Sequence, residues 1–216
     1  MNETLLPTGA ELRLMNPNRQ SAVVCVNGGQ GAEVEGTWSA TLEWLVGRLA
    51  PRFPSLAFGE VRYRVKSWRR LDRCEADARA AIRATGAART LLVGFSMGGA
   101  VAVRAADEPG VEAVVGLAPW LPDRLDLGNL RGKRLAVFHG QLDRWLPGIP
   151  GVSPAHSKAG YERALAGGAS GRYELLDGAL HGVALRAPWG SPLPLPRAAR
   201  WADLVADELD RFAEAA

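Results

Sequence analysis

The chain has 216 residues, 47% hydrophobic and 23% charged, the proportions of a globular protein and not of a disordered or fibrous one. Its 26 Lys and Arg against 23 Asp and Glu leave a net charge of +3, too small a surplus to mark a nucleic-acid binder. At this length ~70% of the unfolded chain's accessible surface is buried on folding, which is enough for one core without disulfide staples, and a single domain over residues 1–216 is expected.

A weak strand around residues 11–14 opens the chain, and apolar strand-like runs follow at 22–26, 61–65, 90–93, 111–117, 135–138 and 172–176. Helical patterns lie between most of them. After Ser39, residues Leu42, Leu45, Val46 and Leu49 share one face up to Pro51. Leu71, Cys74, Ala78, Ala81 and Ile82 share another, closed by Gly86 as a helix C-terminus requires. A third helix is predicted over 97–106, and a fourth begins with Ser153 as N-cap and Pro154 at the first helical position and ends at Gly167. The last, 198–215, is amphipathic through Trp201, Leu204, Val205, Leu209 and Phe212. This alternation specifies an α/β protein with a mostly parallel sheet covered on both faces. The proline-rich stretch 188–196 reads as a loop, and the basic run Arg62, Arg64, Lys66, Arg69, Arg70 and Arg73, whose first three alternate with Val61, Tyr63 and Val65 as a strand with one polar face, as a solvated face, with an anion or nucleic-acid patch as the alternative. Cys25 and Cys74 sit in apolar patterns and are expected to be reduced, packed thiols. Residues 1–17 lack the charged flank and apolar stretch of a secretory signal, and no run of about 18 apolar residues is present, so a cytoplasmic protein without membrane contact is expected.

The strongest chemical signal is Leu91-Leu92-Val93-Gly94-Phe95-Ser96-Met97-Gly98-Gly99-Ala100, an apolar strand that runs into G-x-S-x-G and then a small-residue helix. This is a nucleophile elbow in its required context. A serine on a sharp strand-to-helix turn has an exposed hydroxyl, and side chains at Gly94 and Gly98 would collide with their surroundings. The helix begins beside the nucleophile, where the amide of Met97 can donate to a developing oxyanion. Serine needs a base and the base an orienting acid. Of the three histidines, His139 ends a strand and reads as a packing residue, while His156 falls in the first turn of a helix and reads as a surface residue. His181 follows the strand at 172–176 through a turn, where site residues collect in such sheets, and is the expected base. Asp143, five residues past the end of its strand, is the expected acid. Asp177 is only four residues before His181 and suits a turn cap better.

In the order Ser96, Asp143, His181, with spacings of 47 and 38, these residues resemble those of the α/β-hydrolase superfamily. The resemblance runs from about Ser21 to the C-terminus and also rests on His139-Gly140-Gln141-Leu142-Asp143-Arg144-Trp145-Leu146-Pro147 and on His181-Gly182. It implies a three-layer αβα sandwich with the triad at the C-terminal edge of the strands. It also implies a second oxyanion donor in the loop Asn27-Gly28-Gly29-Gln30-Gly31, by position the amide of Gly29, with Gln30 as the alternative; Asn27 stands where most members have histidine. Many members insert a cap after the sixth strand, but here residues 118–134 leave no room for one. An open site for small or flat substrates follows, with Trp38, Trp68, Trp120, Trp145 and Trp189 as candidates for its rim. The expected activity is hydrolysis of a small carboxylic ester or thioester without metal or organic cofactor. Acyl transfer, C–C bond hydrolysis or perhydrolysis on the same residues, and a hydrolase-fold protein that binds or senses a small molecule, are the alternatives.

Overall fold

Apolar runs bounded by turn residues settle into twelve strands and five α-helices in a computed structural model that describes residues 2–143 and 151–215. In chain order these are β1 (Asn2–Leu5), β2 (Glu11–Met15), β3 (Ser21–Val26), β4 (Val34–Glu35), α1 (Ala40–Leu49), β5 (Leu56–Arg62), β6 (Val65–Lys66), α2 (Leu71–Thr85), β7 (Arg89–Phe95), α3 (Met97–Arg104), β8 (Val111–Leu117), β9 (Arg134–Gly140), α4 (Pro154–Ala166), β10 (Ser170–Leu176), β11 (Ala184–Arg186), β12 (Pro192–Pro194) and α5 (Ala198–Glu214).

Eight strands form one sheet in the order β1-β2-β5-β3-β7-β8-β9-β10. The six from β5 to β10 run parallel, and β1 and β2 add an antiparallel edge. Every residue of β3 is buried, as expected of a central parallel strand with helices over both faces. On one face α1 and α5 bring Leu42, Leu45, Trp201 and Leu204 onto Phe58, Leu91 and Phe138. On the other, α2, α3 and α4 bring Cys74, Ala78, Val101 and Ala164 onto Leu92, Val114 and Val137. The two side-chain sets alternate along each strand, so a slip of one residue would exchange the faces.

The helix ends follow the sequence signals. Ser39 caps α1 and Ser153 caps α4 ahead of Pro154, and Gly86 closes α2 in the left-handed conformation at φ 65°. Both cysteines are free and buried. Three expectations need correction. The strand expected at 61–65 instead spans Leu56–Arg62, and Arg64 is an exposed residue outside it; the basic run is held by ion pairs such as Arg62 with Glu11 and Arg70 with Glu33. Most of 188–196 belongs to a hairpin of β11 and β12 that pairs Leu185 with Leu193; its prolines sit in a two-stranded ribbon, where a missing N–H costs least. The edge strand β1 went unread because all four of its residues are exposed and carry no burial pattern. Between β8 and β9 the chain forms coil and one short 3-10 turn, Gly128–Leu130. No helix among the described residues is long and apolar enough to cross a membrane.

Candidate active site

Ser96 occupies the sharp turn between β7 and α3 with φ 54° and ψ −118°. A non-glycine residue at positive φ costs about 1–3 kcal/mol and persists only where its surroundings over-determine it. Here they do: its amide donates to Leu117 O at 2.9 Å, and its carbonyl accepts from Gly99 at 2.9 Å and Trp120 at 2.8 Å. The flanking glycines are steric necessities. A Cβ on Gly94 would lie 2.4 Å from Gly98 O, and one on Gly98 would lie 2.2 Å from Val26 O, so neither side chain fits while α3 is packed against β3. The helix therefore starts at Met97 with its first amides directed at the serine, where an anion is favoured.

The loop after β3 lies alongside. Asn27, in the position of the family's histidine, is buried and locks the loop: its Nδ2 donates to Thr37 O at 2.9 Å, its Oδ1 accepts the Gly28 amide at 2.7 Å, and Tyr63 OH donates to its carbonyl at 3.1 Å. The Gly28 amide is thereby used internally. Gly29 reaches the site, lining one cavity with Ser96 and Met97, and a Cβ there would lie 2.2 Å from Met97 Sδ.

Asp143 follows β9, and its side chain is wholly buried. Its Oδ2 accepts from His181 Nδ1 at 2.6 Å. Burial alone would raise this carboxyl, but hydrogen bonds from His139 and His181 outweigh it and hold Asp143 below the usual aspartate range. The His181 ring rests against Phe95, the residue before the serine, with ring centroids 5.2 Å apart. Since Nδ1 faces the carboxylate, Nε2 is the nitrogen left for the serine. Among the described residues no hydrogen bond joins Ser96 to His181; such contacts often close only on substrate binding.

The remaining candidates separate cleanly. Trp68 and Trp120 line the cavity over Ser96 together with Gly29, Met97, Gly151 and Val152, enclosing about 280 Å³. Both are anchored by main-chain bonds, Trp120 N to Ser96 O at 2.8 Å and Trp68 N to Gln30 O at 3.1 Å. Trp38 is not on this rim: Arg13 stacks on its ring at 3.9 Å, and the indole serves that cation–π contact instead. Trp189 is 73% exposed, beyond the end of β11 in the hairpin, and Trp145 lies outside the described residues. Asp177 is exposed, and His156 sits in the first turn of α4, its amide capped by Ser153 Oγ at 3.1 Å. His139 is buried as a packing residue would be, yet its ring bonds to Asp143 at 2.8 Å. That partnership was missed, although the four-residue spacing from His139 to Asp143 was its sequence signal. Among the described residues no group of three or more His, Cys, Asp or Glu is arranged to hold a metal ion.

A mostly parallel sheet, a strained serine at a strand-to-helix turn and a buried Asp–His pair beyond two later strands are the features of the α/β-hydrolase fold. Residues 23–216 match the model of the alpha/beta hydrolase family, and the chain belongs to that family. Its structure is similar to an alpha-beta serine hydrolase homologue from Coxiella burnetii, with a TM-score of 0.68, 16% identity and 96% of each chain covered. It is also similar to a propionate-bound thermophilic esterase from the planctomycete Thermogutta terrifontis, with a TM-score of 0.67, 18% identity, and 96% of this chain and 92% of that chain covered. A serine hydrolase without lid from Xanthomonas campestris gives a TM-score of 0.60 at 16% identity, with 83% of this chain and 84% of that chain covered. No curated protein sequence matches the chain significantly.

Proposed function

We propose that the protein is a serine hydrolase of small carboxylic esters or thioesters that works through an acyl-enzyme. The observation that carries this reading is the conjunction of Ser96, strained at the mouth of α3, with a His181 ring oriented by Asp143 and resting on the neighbouring Phe95. Ser96 Oγ attacks the carbonyl carbon while His181 Nε2 takes its proton, and Asp143 stabilises the imidazolium by accepting from Nδ1. The amides of Met97 and Gly29 receive the oxyanion. The imidazolium then protonates the departing alcohol or thiol. A water, deprotonated by the same nitrogen, attacks the acyl carbon, and the imidazolium returns that proton to Ser96 Oγ as the acyl–oxygen bond breaks and the carboxylic acid leaves.

The acyl group faces a cavity of about 280 Å³ walled by Trp68, Trp120 and Val152, just under the ~300–1,000 Å³ usual for ligand pockets. With only coil and a short 3-10 turn between β8 and β9, we infer a single domain without a cap, so a long acyl chain would leave this space and remain in water. Each methylene beyond a short acyl group then gains less than the ~0.8 kcal/mol of full burial. Short acyl groups, and flat aromatic ones that stack between the indoles, are the proposed substrates. The propionate held by the Thermogutta terrifontis esterase is an acid of this size. Two buried free thiols fit a reducing, cytoplasmic setting. A series of p-nitrophenyl esters tests the reading: kcat/KM should peak at about two to six acyl carbons and level or fall beyond, whereas a steady climb to long chains would refute it.

A further inference from the structure

His139 lies in β9 with its side chain fully buried, out of reach of any substrate at the surface of the site. Its Nε2 faces two acceptors, Asp143 Oδ2 at 2.8 Å and Val152 O at 2.8 Å. Neither a carboxylate nor a carbonyl can donate, so Nε2 carries the hydrogen and shares it between them. On the other side of the ring, Nδ1 is 2.7 Å from Ser157 Oγ. That hydroxyl sits among Pro154 O at 3.0 Å and Tyr173 OH at 3.2 Å, and Tyr173 OH also reaches Pro154 O at 3.0 Å. Every polar atom of the imidazole is therefore engaged. Asp143 beyond β9, Val152 ahead of α4 and Ser157 on α4 fix its plane.

The same Oδ2 atom accepts from His181 Nδ1 at 2.6 Å. Two imidazoles thus donate to one oxygen of Asp143, one from the reactive side and one from the core. We propose that His139 is a positioning residue for the catalytic acid, a fixed buried donor that orients the Asp143 carboxylate toward His181 and shares its negative charge. The proposal rests on the reading of Asp143 and His181 as acid and base. A single carboxylate on a loop can swing about its χ angles, and a swing of the carboxylate would release the His181 ring. His139 removes that freedom, and because Val152 also lines the substrate cavity, one ring ties the acid to the wall of the pocket. A donor on the core side also shares the negative charge of Oδ2, the oxygen that His181 faces.

The test uses His139→Phe, which keeps ring volume and loses the donor, and His139→Gln, whose amide nitrogen reaches the place of Nε2 with two hydrogens for Asp143 and Val152. Labelling of wild-type Ser96 by a fluorophosphonate is scored first, so that failure of the site itself is recognised separately and overturns both readings. Given labelling, His139→Phe should lower kcat by about 10–100-fold, the scale of losing an outer partner that orients a reacting group, with KM changed by no more than about threefold. His139→Gln should return kcat most of the way to wild type. A purely structural role would lower the melting temperature of both variants and leave kcat per folded molecule unchanged, and that result overturns the proposal. Should His139→Phe fail to fold, ¹⁵N NMR of the wild-type histidines decides. His139 protonated on Nε2, with its proton signal displaced together with that of His181 in Asp143→Asn, supports the proposal; a ring protonated on Nδ1 alone contradicts it.

Discussion

His181 presents Nδ1 to Asp143 Oδ2 at 2.6 Å, and since the carboxylate only accepts, a neutral ring keeps its hydrogen on Nδ1 and leaves Nε2 unprotonated. Asp143→Asn conserves shape but introduces an amide that can donate to Nδ1 and hold the wrong tautomer. Such a change cost about 10⁴ in kcat in the serine-protease triad, and a loss of similar order is expected here with the far-UV spectrum unchanged. Steady-state kinetics on a short p-nitrophenyl ester measure it, and a loss below tenfold would mean that the pair does not serve catalysis.

The contact between Gly29 and Met97 gives a second expectation. A methyl at Gly29 would lie 2.2 Å from Met97 Sδ and 2.7 Å from Cε, so the loop or the thioether must shift and the amide leaves its place. Gly29→Ala should lower kcat by roughly 10²-fold, the scale of one oxyanion donor, with KM little changed. Met97→Ala in the same chain removes the obstacle and should restore part of the loss. If the double variant is as slow as the single one, crowding by Met97 is not the cause.

Removing a wall of the cavity should change which acyl groups are preferred. Trp120→Ala or Trp68→Ala widens the space over Ser96 and should shift the optimum of kcat/KM toward longer or bulkier acyl groups while slowing the shortest ones, whose stacking and packing are lost. An unchanged order across the ester series would place the acyl group elsewhere.

Much of this was legible from residue order. G-x-S-x-G between an apolar strand and small residues permits few backbones, because Gly94 and Gly98 face other main-chain atoms at distances no side chain tolerates. That Asp143 and His181 meet was readable from their places just past strand ends, and Ser39, Gly86 and Ser153 from the helix termini they form. What escaped depended on contacts distant in sequence or on exposed elements. Trp38 looks like any rim aromatic until Arg13 is found stacked on it. The hairpin of β11 and β12 hides behind prolines. His139 matched a packing residue because it ends an apolar strand, and only the fold brings Ser157 and Val152 to its other edges.

Stability should carry its own pH dependence, set by Glu60. This residue of β5 is 3% exposed, its Oε2 has no hydrogen-bond partner among the described residues, and burial is the main cause that pushes its pKa up to about 7 from 4.5. Between those values the folded protein binds more protons than the unfolded chain, so this contribution is complete below about pH 4.5 and is lost as pH rises through 7. The loss is on the order of 3 kcal/mol. Glu60→Gln should therefore abolish that decline and be the more stable protein at pH 8. Urea unfolding of both chains at pH 5 and pH 8 checks it; parallel curves would show that Glu60 does not titrate in this range.

The most direct test of the central claim is covalent labelling of the folded protein with a fluorophosphonate, followed by peptide mass analysis. An activated serine predicts stoichiometric modification at Ser96, absent in Ser96→Ala and slowed by several orders of magnitude in His181→Ala, in step with ester turnover. A wild-type chain that stays unmodified, or that carries the label on another residue, would contradict the assignment of Ser96 as the nucleophile.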